Sequence, residues 1–110
     1  NLLYGPGNDL VSSTNLTAAG CTVILFTTGR GTPFGAPAPV AKIATNDRLA
    51  ERKANWIDFN AGPVASQGES VDDAGRRLLD LVKEIASGKK TKAEQNGFRE
   101  ISIFKDGVVL

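Results

Sequence analysis

Three glycine-containing segments combine an accessible backbone with polar side chains, a combination that binds anions. They cover residues 5–9 (Gly-Pro-Gly-Asn-Asp), 27–32 (Thr-Thr-Gly-Arg-Gly-Thr) and 58–62 (Asp-Phe-Asn-Ala-Gly). Glycine leaves main-chain amides open to a ligand, and hydroxyl, amide and guanidinium groups donate hydrogen bonds to carboxylate or phosphate oxygens. These residue types therefore indicate recognition of a small anionic molecule.

The segment 27–32 carries the strongest of these signals. Its arginine is always charged and presents parallel N–H donors, which match the geometry of a carboxylate or a phosphate. We therefore predict a substrate-binding group made of Thr27, Thr28, Gly29, Arg30 and Gly31. The alternative is that Arg30 pairs with a carboxylate inside the domain and only holds the loop in place.

Two carboxylates, Asp9 and Asp58, are the candidate catalytic groups. Either could accept a proton or bind a divalent cation. Gly7, Asn8 and Asn60 lie close to them in the sequence and are predicted to bind substrate. Each prediction has a structural alternative. Asn8 or Asp9 could cap a helix after a tight turn, and Asp58 could be a solvent-facing residue of an edge strand.

The rest of the composition excludes several classes of chemistry. The chain of 110 residues has no histidine and one cysteine, so it cannot by itself form a disulfide, a Ser-His-Asp triad or a zinc site of thiolates and imidazoles. Its formal net charge is +1 and its one basic run, at 89–92, is short, which argues against a nucleic-acid partner. No apolar run approaches the roughly 18 residues that span a bilayer. We therefore expect a cytoplasmic protein that binds neither nucleic acid nor membrane.

The elements that would position the candidate residues follow an α/β pattern, because apolar runs alternate with helix-like stretches. Strands are predicted at 2–4, 22–28, 40–44 and 56–60, in a layered sandwich with a mostly parallel, Rossmann-like sheet. The run at 22–28 is apolar on both alternating faces, so we predict that it is the central strand. Ligands bind beyond the carboxyl ends of such strands, so the three glycine-containing segments are expected to line one crevice.

Three single residues within or beside these strands also have predicted roles. Lys42 is expected to be a surface lysine, with a charge for an acidic substrate as the alternative. Cys21 is predicted to be a small buried hydrophobic residue, and Trp56 a core residue.

Helices are predicted from Asn8 or Asp9 to about residue 19, from the cap at 45–47 to about 53, and from Ser70 to about 87. The last of these has apolar residues at helical spacing and is expected to pack on one face of the sheet. A short helical turn is predicted after Thr91.

The carboxyl-terminal residues are predicted to close the domain as a β-hairpin. Residues 98–104 alternate as in a strand, and Asp106 with Gly107 gives the signal of a tight turn.

Taken together, these segments resemble the carboxyl-terminal part of the altronate and galactarate dehydratase family over nearly the whole chain. The resemblance rests above all on the motif Phe-Thr-Thr-Gly-Arg-Gly, and on matches at 5–9, Gly35, Pro37, Pro39, Lys42, 44–46, 58–62 and 86–88. Family members are longer proteins that remove water from hexonic or hexaric acids with a divalent metal, commonly iron. The resemblance implies that residues 1–110 form a single carboxyl-terminal domain of such a lyase. The lack of methionine and the strand-like start after Asn1 also suggest a piece of a longer protein.

The resemblance further implies partners and a mechanism. The partners would be a sugar acid and the upstream domains of the same protein. The ligands of the divalent metal, commonly iron, would lie mainly in those domains. Assembly into a homo-oligomer is a further possibility. Dehydration needs a base for the proton beside the carboxylate, a metal or cation for the enediolate, and an acid for the leaving hydroxyl. Arg30 would anchor the carboxylate, and Asp9 or Asp58 would serve in proton transfer or metal binding. Because this set is incomplete, the chain alone is expected to be inactive.

Two other functions remain as alternatives. The first is a noncatalytic α/β module that binds an anionic metabolite or mediates assembly through the same glycine loops. The second, a nucleotide-binding domain, is disfavoured because the glycines do not follow the G-x-G-x-x-G pattern and no P-loop lysine follows them.

Overall fold

The computed structural model describes residues 1–103 and confirms an α/β architecture with parallel strands. The elements in chain order are α1 (Asp9–Ala18), β1 (Ile24–Thr28), β2 (Val40–Ala44), α2 (Asp47–Arg52), β3 (Phe59–Asn60), α3 (Pro63–Ser66), α4 (Val71–Ala86) and α5 (Lys92–Gln95). Polar side chains define where the helices begin. Asn8, Asn46, Ser70 and Thr91 each accept a hydrogen bond from a main-chain N–H in the first turn of the helix that follows.

The sheet of the described residues has the order β1-β2-β3, so β2 and not β1 is the central strand. All five residues of β2 are buried, whereas burial in β1 alternates and Leu25 is 46% exposed. The prediction that 22–28 is the central strand is therefore wrong. Both faces of β1 are apolar, but only the face that carries Ile24 and Phe26 is covered by the core.

The two faces of the sheet differ in how well they are covered. On one face, Ile24 and Val40 pack with Ala36 and Ala38 of the long loop, and Leu16 of α1 packs against this cluster. Farther along the same sheet, Ala44 packs with Leu49 of α2 and with Ile57. The opposite face lies under α3 and α4, where the guanidinium carbon of Arg77 is 4.7 Å from the ring centre of Phe59. That second face is covered only in part.

Two predicted strands are not strands in the structure. Residues 2–4 are exposed and pair with no strand of residues 1–103; the Tyr4 carbonyl instead accepts a hydrogen bond from the Asn15 side chain of α1. Residues 98–103 run between the long loop and α1, because Glu100 binds the main chain of Gly35 and the Ser102 N–H binds Thr14. Residue 104 and the predicted hairpin turn lie outside the described residues.

The third strand is shorter than predicted. It covers only Phe59–Asn60, because the N–H groups of Trp56 and Ile57 bond to the Lys53 carbonyl and extend the turn that follows α2. Trp56 and Cys21 are each partly buried. α3, which begins with Pro63 at its first position, was not predicted.

Candidate functional site

A cationic pocket of about 580 Å³ opens where β1 ends, between the loop at 29–31 and α2. We call it the α2 pocket. It is lined by Gly29, Arg30, Asn46, Arg48, Leu49, Arg52 and Lys53. Every charged residue among these is a cation. A concave site lined by charges of one sign concentrates ligands of the opposite sign. The α2 pocket is thus suited to an anion.

The loop that carries Arg30 is held by three hydrogen bonds. The Gly31 N–H donates to the Thr28 hydroxyl at 2.9 Å, and the Asn46 side chain donates to the Gly29 carbonyl at 3.1 Å. The Lys53 ammonium donates to the Arg30 carbonyl at 2.8 Å. All three bonds use the main chain of residues 29–31, and none uses the guanidinium of Arg30, which lines the pocket.

Glycine is required at position 31 because the backbone there has a φ of 80°. A Cβ atom at this position would also lie 3.0 Å from Cδ1 of Leu49 and 3.1 Å from Cδ of Lys53. The close approach of the loop to α2, which forms one wall of the pocket, therefore depends on Gly31.

Arg30 is exposed and takes part in none of the ion pairs formed among residues 1–103. Those pairs join Arg76 to Asp73, Arg77 to Glu69 and Lys89 to Glu84. The alternative in which Arg30 holds the loop through an internal carboxylate therefore has no support among the described residues.

The cations contributed by α2 were missed by the sequence reasoning. Arg48 and Arg52 are four residues apart in α2, so they lie on one face of the helix, and Lys53 follows as its carboxyl-terminal cap. That spacing was a readable signal. What the sequence did not indicate is that this face of α2 lies beside the loop of Arg30.

Asp58 does not line the α2 pocket. One carboxylate oxygen accepts a hydrogen bond from the Lys42 N–H and the other from the Lys92 N–H, each at 2.8 Å. Burial raises the pKa of Asp58, although both hydrogen bonds and the charges of Lys42 and Lys92 oppose that shift. The carboxylate thus links β2 to the start of α5. It also lines a separate cavity of about 230 Å³ near Lys89 and Lys90, and its role in proton transfer stays a prediction.

Lys42 is fully buried, and its predicted surface position is wrong. Only 1% of the residue is exposed, because its place in β2 directs the side chain into the face that the long loop covers. Its ammonium donates a hydrogen bond to the Phe34 carbonyl and lies 5.0 Å from the centre of the Phe34 ring. Burial lowers the pKa of Lys42, and the nearby charges of Asp58 and Glu100 oppose this shift.

Asn60 does not line the α2 pocket but binds Asp47 at the start of α2, the helix that forms its wall. Its amide donates to the Asp47 carboxylate at 2.8 Å, and its carbonyl accepts from the Gly62 N–H at 2.8 Å. The Ser66 hydroxyl binds the other oxygen of Asp47, and these hydrogen bonds, Ser66 first and Asn60 second, lower the pKa of Asp47. A Cβ atom on Gly62 would lie 2.5 Å from the main-chain nitrogen of Asp47. The segment 58–62 therefore positions the first turn of α2.

The remaining predicted residues lie away from the α2 pocket. Asn8 caps α1 by accepting the N–H groups of Leu10 and Val11, each at 3.1 Å, and the exposed Asp9 begins that helix. Gly7 is exposed, and Thr27 lies on the opposite face of the sheet, beneath α4. The three glycine-containing segments therefore do not all line one pocket, and substrate contacts by Gly7, Asn8 and Thr27 stay predictions.

Within residues 1–103, no group of three or more His, Cys, Asp or Glu side chains could hold a metal ion. A metal with ligands elsewhere in the longer protein stays a prediction. No helix in the same range is long and apolar enough to cross a membrane.

The sequence is similar to proteins of known name along its whole length. Residues 1–109 match the family described as D-galactarate/altronate dehydratase, C-terminal. The chain is 50% identical to an altronate dehydratase of Bacillus subtilis and 49% identical to one of Escherichia coli, over 99% and 100% of its length. It is 41% identical to the galactarate dehydratase (L-threo-forming) of Escherichia coli over 98% of its length. In all three cases, the match covers 22% of the relative.

Proposed function

We propose that this chain, which belongs to the family of carboxyl-terminal domains of D-galactarate/altronate dehydratases, anchors the substrate of a sugar-acid hydro-lyase. The longer protein would remove water from an acid of the altronate or galactarate type and release a 2-keto-3-deoxy acid. The observation that carries the proposal is the α2 pocket, where Arg30 and three cations of the α2 segment surround one concave site.

The ligand chemistry of the pocket suits a sugar acid. A hexonic acid has one carboxylate and a hexaric acid has two, and both have several hydroxyl groups. The guanidinium of Arg30 can hold one carboxylate through two parallel N–H donors. Arg48, Arg52 and Lys53 add donors and positive charge around the rest of the site, and the Asn46 side chain lies at its wall.

The same cations would also favour the reaction itself. Removal of the proton beside a carboxylate moves negative charge onto the carboxylate oxygens, because the product of that step is an enediolate. Donors placed at those oxygens interact more strongly with the enediolate than with the bound acid, so they lower the barrier. Arg30 would thus stabilise the transition state as well as bind the substrate.

The groups that move protons are proposed to come from outside the α2 pocket, since none of its described lining residues is a carboxylate. Asp9 and Asp58 remain candidates only if the rest of the protein brings the substrate to them. We propose as well that the longer protein holds a divalent metal and is located in the cytoplasm.

The test is turnover of the full-length protein on a panel of hexonic and hexaric acids. We expect loss of water from at least one member of the panel, detected as formation of a 2-keto acid. Binding of these acids at the domain without turnover by the full-length protein would contradict the enzymatic function. It would favour a noncatalytic module that binds anions.

A further inference from the structure

An open apolar groove lies between the sheet and the first half of α4, on the side of the sheet away from Lys42. We call it the α4 groove. It has a volume of about 440 Å³, and its wall includes Ile43 and Phe59 of the sheet, Val64 of α3, and Val71, Ala74 and Leu78 of α4. The wall is apolar almost throughout. Such a groove takes an aliphatic or aromatic side chain and not a charged ligand.

Residues 1–103 do not bury the apolar stripe of α4 completely. Ala74 is buried, but Val71 at the mouth of the groove is 73% exposed. On the sheet side, Leu25 of the edge strand β1 is also left in solvent. Val71 continues the apolar wall of the groove to the surface, and an exposed apolar patch of this kind marks an interaction surface.

Charged residues lie beside the apolar lining of the groove, as they do at protein interfaces. Arg77 of α4 lies beside the apolar lining, with its guanidinium carbon 4.7 Å from the ring centre of Phe59, and it pairs with Glu69 of the segment before α4. An apolar centre within a polar rim is typical of surfaces that dock another folded part of a protein.

We propose that the α4 groove binds an apolar segment from the rest of the same polypeptide in the longer protein. The proposal rests on family membership and not on the enzymatic activity. The chain matches its relatives over 99% to 100% of its own length but over 22% of theirs, so roughly four fifths of such a protein lies outside this domain. A segment of the same chain is present at an effective concentration of about millimolar or more, which favours it over a separate molecule.

The structure offers a matched pair of positions on α4 for a test in the full-length protein. Val71 lines the groove, whereas Leu79, which is 51% exposed in this domain, does not line it. We would introduce Val71→Cys and Leu79→Cys separately and measure the rate of maleimide labelling at each site by peptide mass spectrometry. Each rate is divided by the rate at the same site in urea, which removes differences in intrinsic thiol reactivity.

If the rest of the chain covers the groove, Val71→Cys labels at least tenfold more slowly than Leu79→Cys, although it is the more exposed position in this domain. The protection should not change when the protein is diluted. Equal rates would show that the groove is open and would overturn the proposal. Protection that disappears on dilution would overturn it as well, because it would assign the groove to a second copy of the protein.

A second measurement covers the case in which a cysteine variant does not fold. Hydroxyl-radical footprinting of the unsubstituted full-length protein reports the oxidation of Val71, Leu78 and Leu79, each normalised to the unfolded protein. We expect protection of Val71 and Leu78 but not of Leu79. Oxidation of Val71 as fast as that of Leu79 would contradict the proposal. Neither readout depends on turnover, so this proposal and the enzymatic one fail independently.

Discussion

The buried ammonium of Lys42 donates a hydrogen bond to the main-chain carbonyl of Phe34 and lies 5.0 Å from the centre of the Phe34 ring. Phe34 belongs to the long loop that continues from the segment of Arg30, and Lys42 belongs to the central strand. A charged side chain in the core thus holds this loop over the sheet. The contact joins the most buried part of the fold to the segment that carries the α2 pocket.

The pH dependence of stability tests the burial of Lys42. Because burial lowers the pKa of Lys42 below its usual 10.5, the folded chain binds this proton less tightly than the unfolded chain does. The contribution of Lys42 to the free energy of unfolding therefore rises as the pH increases from the folded-state pKa of Lys42 towards 10.5. The Lys42→Met variant lacks this contribution, so the difference in stability, wild type minus variant, should increase with pH in urea unfolding of the 110-residue chain. A difference that is constant with pH would contradict the burial of an ionisable lysine.

Asp58→Asn separates a structural role from a catalytic one. An asparagine can accept only one of the two N–H groups that the carboxylate binds, so we expect a loss of about 1 to 3 kcal/mol in the free energy of unfolding. In the full-length protein, kcat/KM should stay within a few-fold of the wild-type value. A fall in kcat of a hundredfold or more with unchanged stability would instead assign proton transfer to Asp58.

Gly62→Ala should destabilise the chain, because the added Cβ would lie 2.5 Å from the main-chain nitrogen of Asp47 and would displace the first turn of α2. We expect a cost of about 1 to 3 kcal/mol from such overpacking. Gly75→Ala in α4 is the matched control, since its Cβ would meet nothing within 4 Å in this domain. That change should stabilise the chain by about 0.5 to 1 kcal/mol, because alanine favours the helix. Equal effects of the two substitutions would show that Gly62 is not under steric constraint.

The isolated 110-residue chain should unfold cooperatively but should not dehydrate altronate or galactarate, with or without added iron. The reason is that the described lining of the α2 pocket holds cations but no carboxylate, and that residues 1–103 contain no cluster of three or more His, Cys, Asp or Glu side chains that could hold a metal ion. Denaturant unfolding and a turnover assay on the same preparation give the two answers. Turnover by the isolated chain would show that the domain contains the full catalytic set.

The features that could be predicted from the sequence are those determined within a few residues. The starts of α1, α2, α4 and α5 were predicted from caps at 8–9, 45–47, Ser70 and Thr91, and the structure places the first two at Asn8 and Asn46. They were predictable because a helix cap involves only its own first turn. Strand order was not predictable in the same way. The apolar pattern of β1 is that of a strand covered on both faces, and only the assembled sheet shows that Leu25 is left open.

The residues of the candidate site also differ in whether neighbouring residues in the sequence were enough to predict them. Arg30 was identified from its neighbouring glycines and hydroxyls, which are adjacent in sequence. Arg48 and Arg52 were not, because their relation to Arg30 depends on α2 lying against the loop at 29–31. The burial of Lys42 was missed for a related reason, since the loop that covers it folds back from residues earlier in the chain.

The most direct test of the account is Arg30→Lys in the full-length protein. Lysine keeps the charge but loses the paired donors, which should cost about 1.5 to 3 kcal/mol, or roughly a ten- to hundredfold fall in kcat/KM for the sugar acid. The melting temperature should not change, because the Arg30 guanidinium takes part in no ion pair among residues 1–103. Arg76→Lys, on the exposed face of α4, is the control and should leave kcat/KM unaltered. A normal kcat/KM together with a clearly lowered melting temperature for Arg30→Lys would contradict the anchoring role and would assign Arg30 to the stability of the loop.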